Sequence, residues 1–160
     1  MKDVRPTSGL VLSALFNILG EFEDGAKFLD LFAGTGRVGF EALKRGAKEV
    51  VFVENIRSRA ESIKKSGGLV LNLDIRRAIT WLVKREMKFN FIFADPPYNS
   101  GWCETITGLK DFDKLFFDSN SIFVIEHSSR EILKFNSDTF NIFSQRQYGE
   151  TQLSFLRRIF

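Results

Sequence analysis

The feature that most constrains the fold is a repeated alternation along the chain. Short apolar runs, rich in β-branched and aromatic residues, alternate with segments of helical periodicity. That order is typical of βαβ units, in which helices join parallel strands and cover the faces of their sheet. The apolar runs are continuous rather than alternating, as expected for strands buried on both faces. The sequence therefore predicts an α/β fold built on a doubly wound, mostly parallel sheet.

Five of these runs are predicted as parallel strands, with helices before and between them. The predicted strands are residues 27–32, 49–54, 69–73, 89–94 and 121–127. The predicted helices are an opening helix that Thr7 or Ser8 caps and Gly20 ends, then residues 37–46, 56–67 and 75–87, with helical stretches around 102–117. Two further β-like runs, 139–147 and 151–160, flank the short link "YGE" and predict a closing antiparallel hairpin, which makes seven strands in all.

Five parallel strands followed by a hairpin favour one class of doubly wound fold. In the Rossmann-like class I methyltransferase arrangement a final antiparallel strand inserts into the sheet, whereas the dinucleotide-binding fold has six parallel strands. The chain has 160 residues, 44% of them hydrophobic, which fits a single domain spanning residues 1–160.

Charge and residue counts exclude several classes of site. Lys plus Arg exceed Asp plus Glu by 23 to 20, a mild tilt toward anionic partners such as nucleic acid. The one cysteine, Cys103, and the one histidine, His127, cannot form a zinc site, so we expect no metal and a structural role for both. No signal-like or bilayer-spanning run is evident, which predicts a cytoplasmic protein without membrane attachment. We expect a small, mildly basic domain of this kind to be a monomer.

A glycine motif stands between the first predicted strand and the helix that follows it. Within "DLFAGTGRVGFEAL" (30–43), three glycines, at positions 34, 36 and 39, match G-x-G-x-x-G. Glycines let a ligand approach the backbone, and the exposed amides favour anionic groups, although a plain tight turn would use the same glycines. The residues predicted to hold a cofactor in this loop are Asp30, Phe32, Ala33, Gly34, Thr35 and Gly36.

Three acids near the carboxyl ends of predicted strands indicate which cofactor the loop holds. Glu54, 18 residues after Gly36, is placed to accept hydrogen bonds from the ribose hydroxyls of an adenosine, which NAD and S-adenosylmethionine share. Asp30 is placed to meet a cationic amino group, which S-adenosylmethionine has and NAD lacks. Asp74 is predicted to reach an adenine amino group, to cap the following helix, or both. We therefore expect S-adenosyl-L-methionine as the cofactor.

The stretch "FIFADPPYNS" (91–100) interrupts an apolar run with an acid, two prolines and a tyrosine. Asp95 follows the fourth predicted strand at the same sheet edge as the glycine loop, and the two prolines hold the backbone extended. The Asp95 carboxylate and the Pro96 carbonyl can grip the hydrogens of a planar amine while an aromatic ring stacks on its base. A rigid strand-to-helix turn is the alternative. The predicted catalytic residues are Asp95, Pro96, Pro97 and Tyr98.

Together these stretches resemble the bacterial small-subunit ribosomal RNA guanine-N2 methyltransferases of the RsmD type, within the class I S-adenosylmethionine-dependent enzymes. The resemblance covers nearly the whole chain. "RPT" with "ALFNIL" looks like the family's opening helix, and "FLDLFAGTGRVGFEALKRGA" like its cofactor loop. "DPPY" looks like its catalytic loop, and "YGET" with "LSF" like its closing hairpin.

The resemblance implies methylation of a guanine N2 in 16S ribosomal RNA, presented in an assembled or partly assembled small subunit. Family members usually carry a basic, glycine-containing hairpin linked to RNA contact ahead of "RPT", whereas Arg5 stands almost at the start of this sequence. We expect that extension to be missing, which leaves room for a different substrate. By the resemblance, the target base is served by Asp95, Pro96 and Tyr98, and the cofactor by Asp30, Gly34, Gly36, Glu54 and Asp74.

Other functions fit part of the pattern. A methyltransferase for another RNA, for DNA bases or for a protein glutamine amide also needs a loop that presents acceptors to a planar amine, although 160 residues leave no room for the separate recognition region of DNA enzymes. A non-catalytic module that binds S-adenosylmethionine or RNA has no need of Asp95. An NAD-dependent dehydrogenase needs a substrate domain and a hydride partner, neither of which the sequence suggests.

Overall fold

The computed structural model describes residues 8–160, which form one sheet of seven strands with helices on both faces. Arg5 and Thr7, for which the sequence made predictions, lie outside the described residues. The strands are β1 (Lys27–Leu31), β2 (Glu49–Val53), β3 (Leu69–Leu71), β4 (Phe91–Ala94), β5 (Ile122–Ser128), β6 (Phe140–Tyr148) and β7 (Thr151–Arg158). The helices are α1 (Gly9–Leu19), α2 (Arg37–Lys44), α3 (Arg57–Lys65), α4 (Ile75–Lys84) and α5 (Trp102–Thr105), followed by 3-10 turns at Ile106–Gly108 and Phe112–Leu115.

The strand order across the sheet is β3-β2-β1-β4-β5-β7-β6. The first five strands are parallel, and β7 lies antiparallel between β5 and β6. The predicted α/β fold, with a doubly wound, mostly parallel seven-stranded sheet and a C-terminal antiparallel hairpin, is therefore confirmed. β2 and β4 lie on opposite sides of β1, so the order reverses between β1 and β4. Doubly wound sheets bind ligands at the carboxyl ends of the strands at such a point.

The helix predicted at residues 75–87 ends too late, and a comparison of the C-terminal ends of α2 and α4 shows why. α2 ends where Gly46 adopts left-handed backbone (φ 101°), the conformation that glycine adopts without strain. α4 ends in the same way, with the Met87 N–H donating to the Leu82 carbonyl at 3.1 Å, but Glu86 fills the left-handed position (φ 55°). The predicted helix 75–87 is therefore three residues too long, because no glycine marks its end.

Two other predicted elements are shorter in the structure. The predicted strand 69–73 ends two residues early, where the Asn72 side chain donates to the carbonyl of Glu54 at 2.8 Å. The predicted helical stretch 102–117 divides into α5 and two 3-10 turns, with Asp111 in left-handed backbone (φ 65°) between the turns. The remaining strands, α2 and α3 agree with prediction to within two residues. Among residues 8–160, no helix is long and apolar enough to span a lipid bilayer.

The sheet divides the core into two apolar layers. Successive side chains of a strand point to opposite faces, so Leu29 packs with α4 while Phe28 packs with α1, α2 and α3. Asp30 follows Phe28 on the second face and is only 1% exposed. On that face α2 approaches β2 closely, because a Cβ atom added at Gly39 would lie 2.3 Å from Cε1 of Phe52. The third glycine of the motif therefore serves helix packing rather than ligand contact.

Candidate active site

Three of the predicted site acids come together at the carboxyl ends of neighbouring strands. β1 pairs with β4 so that Asp30 lies opposite Phe93, and Asp95 follows two residues later on the same face. Glu54 directly follows β2, which lies on the other side of β1. Charge repulsion acts on Asp30 from Glu54 and on Asp95 from Asp30, which shows that the three carboxyls are neighbours. This edge, at the reversal point of the sheet, is the candidate active site.

The loop after β1 is a tight turn that leaves open space beside its backbone. Phe32 and Gly34 both adopt left-handed backbone, at φ 57° and 59°. The Ala33 N–H donates to the last carbonyl of β2 at 3.0 Å, which anchors the turn to the sheet. A Cβ atom added at Gly34 would meet nothing within 4 Å, so the backbone is open to a ligand there. Thr35 is exposed, and Gly36 (φ 81°) is the N-cap residue of α2.

Glu54 fixes the shape of this turn. Its Oε1 atom accepts the N–H of Gly34 and its Oε2 atom accepts the N–H of Ile56, both at 2.8 Å. The residue is 6% exposed. Each carboxylate oxygen has a second lone pair, so both keep acceptor capacity for the ribose hydroxyls that the sequence predicts.

Asp30 is buried and joins β1 to α2. Its Oδ2 atom accepts the N–H of Gly39 at 3.0 Å, in the first turn of α2, so it supplies a helix cap that the glycine at the N-cap position lacks. Burial raises the pKa of Asp30, the Gly39 N–H lowers it and the charge of Glu54 raises it, and together these effects bring the pKa to about 7. A bound cation would favour the ionised carboxylate.

Asp95 belongs to a carboxyl pair that the sequence did not predict. Ala94 of β4 pairs with Ile125 of β5, so the next residues, Asp95 and Glu126, lie side by side. The Glu126 side chain is 5% exposed and hydrogen-bonds Asp95. Burial, followed by the charge of Glu126 and this hydrogen bond, raises the pKa of Asp95 well above its usual range. Two carboxyl groups can hydrogen-bond only when one carries a proton, so the pair can hold a proton at the predicted catalytic loop.

A signal for Glu126 is nevertheless present in the sequence. The β5 run "SIFVIEHS" is apolar until Glu126, and a strand buried on both faces excludes a carboxyl group unless that group is paired or functional. Its partner could not be predicted, because the pairing depends on the register between β4 and β5.

The predicted catalytic loop is tied to the C-terminal hairpin. Pro96 is buried and Pro97 is exposed, with the Pro97 carbonyl accepting the hydroxyl of Ser100. The Tyr98 hydroxyl and Thr151 Oγ1, at the start of β7, are 2.8 Å apart. The tyrosine is half-buried, so its ring is anchored at the hydroxyl end. Stacking of that ring on a target base stays a prediction.

Asp74 lies three residues beyond β3 rather than at the end of a strand, as the sequence predicted. Its Oδ1 atom accepts the N–H of Arg77 at 3.0 Å, so the predicted role as N-cap of α4 is confirmed. Its Oδ2 atom lies 3.5 Å from Arg77 Nε in an exposed ion pair. The contact with an adenine amino group stays a prediction.

His127 is buried and hydrogen-bonded at both ring nitrogens, and Cys103 is buried in the apolar core. His127 Nδ1 lies 2.9 Å from the Ser128 carbonyl, which can only accept, so Nδ1 carries the proton and Nε2 accepts from the Ser154 hydroxyl at 2.8 Å. Burial lowers the pKa of His127 and raises the pKa of the Cys103 thiol to about 12. In the part of the chain that the structure describes, no group of three or more His, Cys, Asp or Glu residues could hold a metal ion.

Relatives of known name match most of this chain. The model of the family described as Conserved hypothetical protein 95 matches residues 1–157. The YlbH protein of Bacillus subtilis is 34% identical over 136 residues, which cover 80% of this chain and 73% of that protein. The protein named Ribosomal RNA small subunit methyltransferase D in Buchnera aphidicola is 31% identical over 134 residues, which cover 81% of this chain and 70% of that protein.

The fold agrees with these matches. The solved structure of the yhhF protein of Escherichia coli superposes with a TM-score of 0.79 at 25% identity, covering 97% of this chain and 87% of that one. Sequence and fold therefore lead to one conclusion. The chain belongs to the Conserved hypothetical protein 95 family, the RsmD-type family of class I methyltransferases.

Proposed function

We propose that this protein transfers a methyl group from S-adenosyl-L-methionine to the exocyclic N2 amine of a guanine in small-subunit ribosomal RNA. One observation carries the proposal: Asp95, at the head of a rigid Pro-Pro loop, adjoins the Gly34 turn and its acids at the reversal point of the sheet. Relatives named Ribosomal RNA small subunit methyltransferase D support RNA as the substrate. The "DPPY" resemblance supports guanine N2.

The residues of the site fit this cofactor. S-adenosylmethionine carries two positive charges, an ammonium and a sulfonium, and the buried Asp30 carboxyl is held in a setting that disfavours its ionised form. A cationic ligand relieves that cost. The open backbone at Gly34 gives such a ligand room, and Glu54 beside it retains acceptor capacity. Asp30, Gly34 and Glu54 are the residues that we assign to cofactor binding.

The target amine needs help from the protein, because its lone pair is delocalised into the base. S-adenosylmethionine, when bound, supplies a methyl group on a positively charged sulfur that departs as a neutral thioether. The Asp95 carboxylate and the Pro96 carbonyl accept hydrogen bonds from the amine and orient its nitrogen toward that methyl group. Positioning of this kind supplies roughly 7–11 kcal/mol of a barrier. The Tyr98 ring, anchored through its hydroxyl to Thr151, holds the base.

The proton that the nitrogen loses when the new N–C bond forms has a receiving group in the site. In its ionised form Asp95 can accept this proton through the Oδ atom that grips the amine, and Glu126 shares a hydrogen bond with Asp95. The raised pKa of Asp95 makes it a stronger base than an exposed aspartate, and general-base help is typically worth about 10²–10⁴ in rate. Glu126 is therefore a positioning residue, because its hydrogen bond holds the Asp95 carboxyl that receives the proton.

Methyl transfer tests this function directly. We expect the purified protein to move labelled methyl groups from S-adenosylmethionine to small-subunit ribosomal RNA, either free or assembled into subunits. Asp95→Ala should lower the rate by at least about a hundredfold, because both the amine acceptor and the proton acceptor are lost. Its affinity for S-adenosylmethionine, measured by calorimetry, should stay nearly unchanged.

Asp138→Ala is the matched control, since Asp138 is an exposed aspartate in the loop before β6. It should transfer methyl groups at the wild-type rate. Cofactor binding without transfer to any RNA would refute the proposed enzyme. Transfer by Asp95→Ala at the wild-type rate would refute the role of Asp95.

A further inference from the structure

The exposed face of α4 carries two adjacent rows of side chains with an unusual composition. Residues four apart on a helix lie above one another, so one row contains Arg76, Thr80 and Lys84. The second row contains Arg77, Trp81 and Arg85. These six side chains and Leu73 line an open groove, which we call the α4 groove. Four of the seven residues that line it are cations.

The charges of the α4 groove are largely uncompensated. Within residues 8–160, Arg76, Lys84 and Arg85 form no ion pair with a carboxylate, and Arg77 pairs only with Asp74. That pair is exposed, with side-chain exposures of 79% and 49%, so solvent screens it strongly. The groove therefore presents positive charge to an anionic partner.

Two of the arginines have their guanidinium groups over tryptophan rings. The guanidinium carbon of Arg85 lies 3.7 Å from the ring centre of Trp81, and that of Arg76 lies 4.9 Å from the ring centre of Trp102. A stacked guanidinium offers its other face as a plane. RNA-binding proteins use such planes and aromatic rings to stack unpaired bases, while lysines and arginines neutralise the phosphates.

Trp102 links the α4 groove to the candidate active site. Trp102, which supports Arg76, begins α5 directly after the catalytic loop. Its ring packs against Phe32, at the head of the proposed cofactor loop, in an edge-to-face arrangement with ring centres 5.2 Å apart. From Arg76 the groove follows α4 to Arg85, a distance of roughly 13 Å at the rise of an α-helix. A strand whose base enters the active site could therefore extend along this helix.

We propose that the α4 groove binds the backbone and unpaired bases of the RNA that flanks the target nucleotide. The proposal rests on the proposed function for the identity of the target, but the binding itself does not require methyl transfer. The combination of four cations with two stacked guanidinium planes favours RNA over an acidic protein. An acidic protein would satisfy the charges and leave the planes without a partner.

Salt-dependent RNA binding by charge-matched variants tests the groove. The groove variant is Arg76→Gln, Arg77→Gln, Lys84→Gln and Arg85→Gln. The control variant is Arg57→Gln, Arg59→Gln, Lys64→Gln and Lys65→Gln on α3, which packs on the opposite face of the sheet. Each set lowers the formal net charge from +3 to −1, so only the location of the lost charge differs. The probes are a fluorescein-labelled single-stranded oligoribonucleotide of mixed sequence and transcribed small-subunit ribosomal RNA, without cofactor.

We expect the groove variant to lower the slope of log Kd against log salt by about 3, since each of the four lost phosphate contacts removes about 0.7–0.9. Its Kd near 0.15 M salt should rise on the order of tenfold to a hundredfold. The control variant should leave both quantities nearly unchanged. Trp81→Ala should weaken binding without changing the slope, because a ring contributes stacking and no charge.

Several results would overturn the proposal. Equal losses in the two charge variants would show a general effect of net charge, and no loss in the groove variant would show that RNA binds elsewhere. An equal loss of binding to polyglutamate would indicate an acidic protein as the partner.

Unfolding midpoints verify the fold, and a Lys84→Gln, Arg85→Gln double variant replaces the groove variant if that one unfolds. Methyl transfer is scored separately, so the wild-type protein can bind RNA through the groove even if the proposed activity fails.

Discussion

At the scale of single residues, the site places stability and function in opposition at Asp30. The side chain is 1% exposed, and its carboxyl pKa of about 7 means that the folded protein holds this proton far more tightly than the unfolded chain does. Above that pH the folded state must contain a buried carboxylate near Glu54. A strongly perturbed pKa of this kind is typical of functional sites, and the proposed cofactor has a cationic group that would use the charge.

We predict that Asp30→Asn stabilises the protein at pH 8. A group whose pKa is raised on folding stabilises the fold fully below its unfolded pKa, near 3.8, and that stabilisation is lost as pH rises to about 7. An asparagine can still accept the Gly39 N–H and has no charge to bury. The gain over wild type should grow from about pH 4, level off above about 7, and reach on the order of 4 kcal/mol. Urea unfolding at a series of pH values measures it.

Asp138→Asn is the control for this series, since Asp138 is exposed and its substitution should change the free energy of unfolding by less than about 0.5 kcal/mol. Asp30→Asn should also bind S-adenosylmethionine more weakly, since the carboxylate that we assign to its ammonium group is gone. A variant that is less stable than wild type by the same amount at pH 5 and pH 8 would contradict the argument.

At the scale of elements, the glycine motif combines two different requirements. Gly34 has open space where a Cβ atom would lie, whereas Gly39 has none, because α2 packs directly on β2. That close packing brings the Gly39 N–H to the carboxyl of Asp30 at 3.0 Å. The third glycine therefore supports the site through the position of a helix.

We predict that Gly39→Ala destabilises the protein by about 1–3 kcal/mol, the usual cost of overpacking. The added Cβ atom would lie 2.3 Å from Phe52 Cε1 and 2.9 Å from Val50 Cγ1, so α2 must move away from β2. Gly108→Ala is the matched control, since a Cβ atom there meets nothing within 4 Å, and it should change stability by less than about 0.5 kcal/mol. Chemical denaturation compares the two, and equal stabilities would show that the contact relaxes without cost.

Element ends show what could be read from the sequence and what could not. Gly46 marks the end of helix α2 in the sequence to within two residues. The predicted end of α4 is three residues too late, because Glu86 rather than a glycine occupies the same left-handed position. The apolar runs alone predict the buried strands β2 and β5. The break at Asp111 inside the stretch 102–117 has no such local signal, since an aspartate there adopts a conformation that glycine usually takes.

At the scale of the whole molecule, the candidate site assembles from segments far apart in the chain. Residues that act through local chemistry were predicted: the glycine turn, Glu54 after β2, and Asp95 with its prolines. Glu126 was not, because its contact with Asp95 exists only once β4 and β5 pair in register. The link from Tyr98 to Thr151 likewise depends on the insertion of β7 beside β5.

The most direct test of the proposed activity is the identity of the methylated nucleoside. Unmodified small-subunit ribosomal RNA, free and assembled into subunits, is incubated with the protein and S-adenosylmethionine, digested to nucleosides, and resolved by liquid chromatography and mass spectrometry. If Asp95 holds the exocyclic amine of guanine, the product is N2-methylguanosine, and Asp95→Ala should yield none of it. A methyl group on a ring nitrogen, a carbon or a ribose oxygen would contradict it.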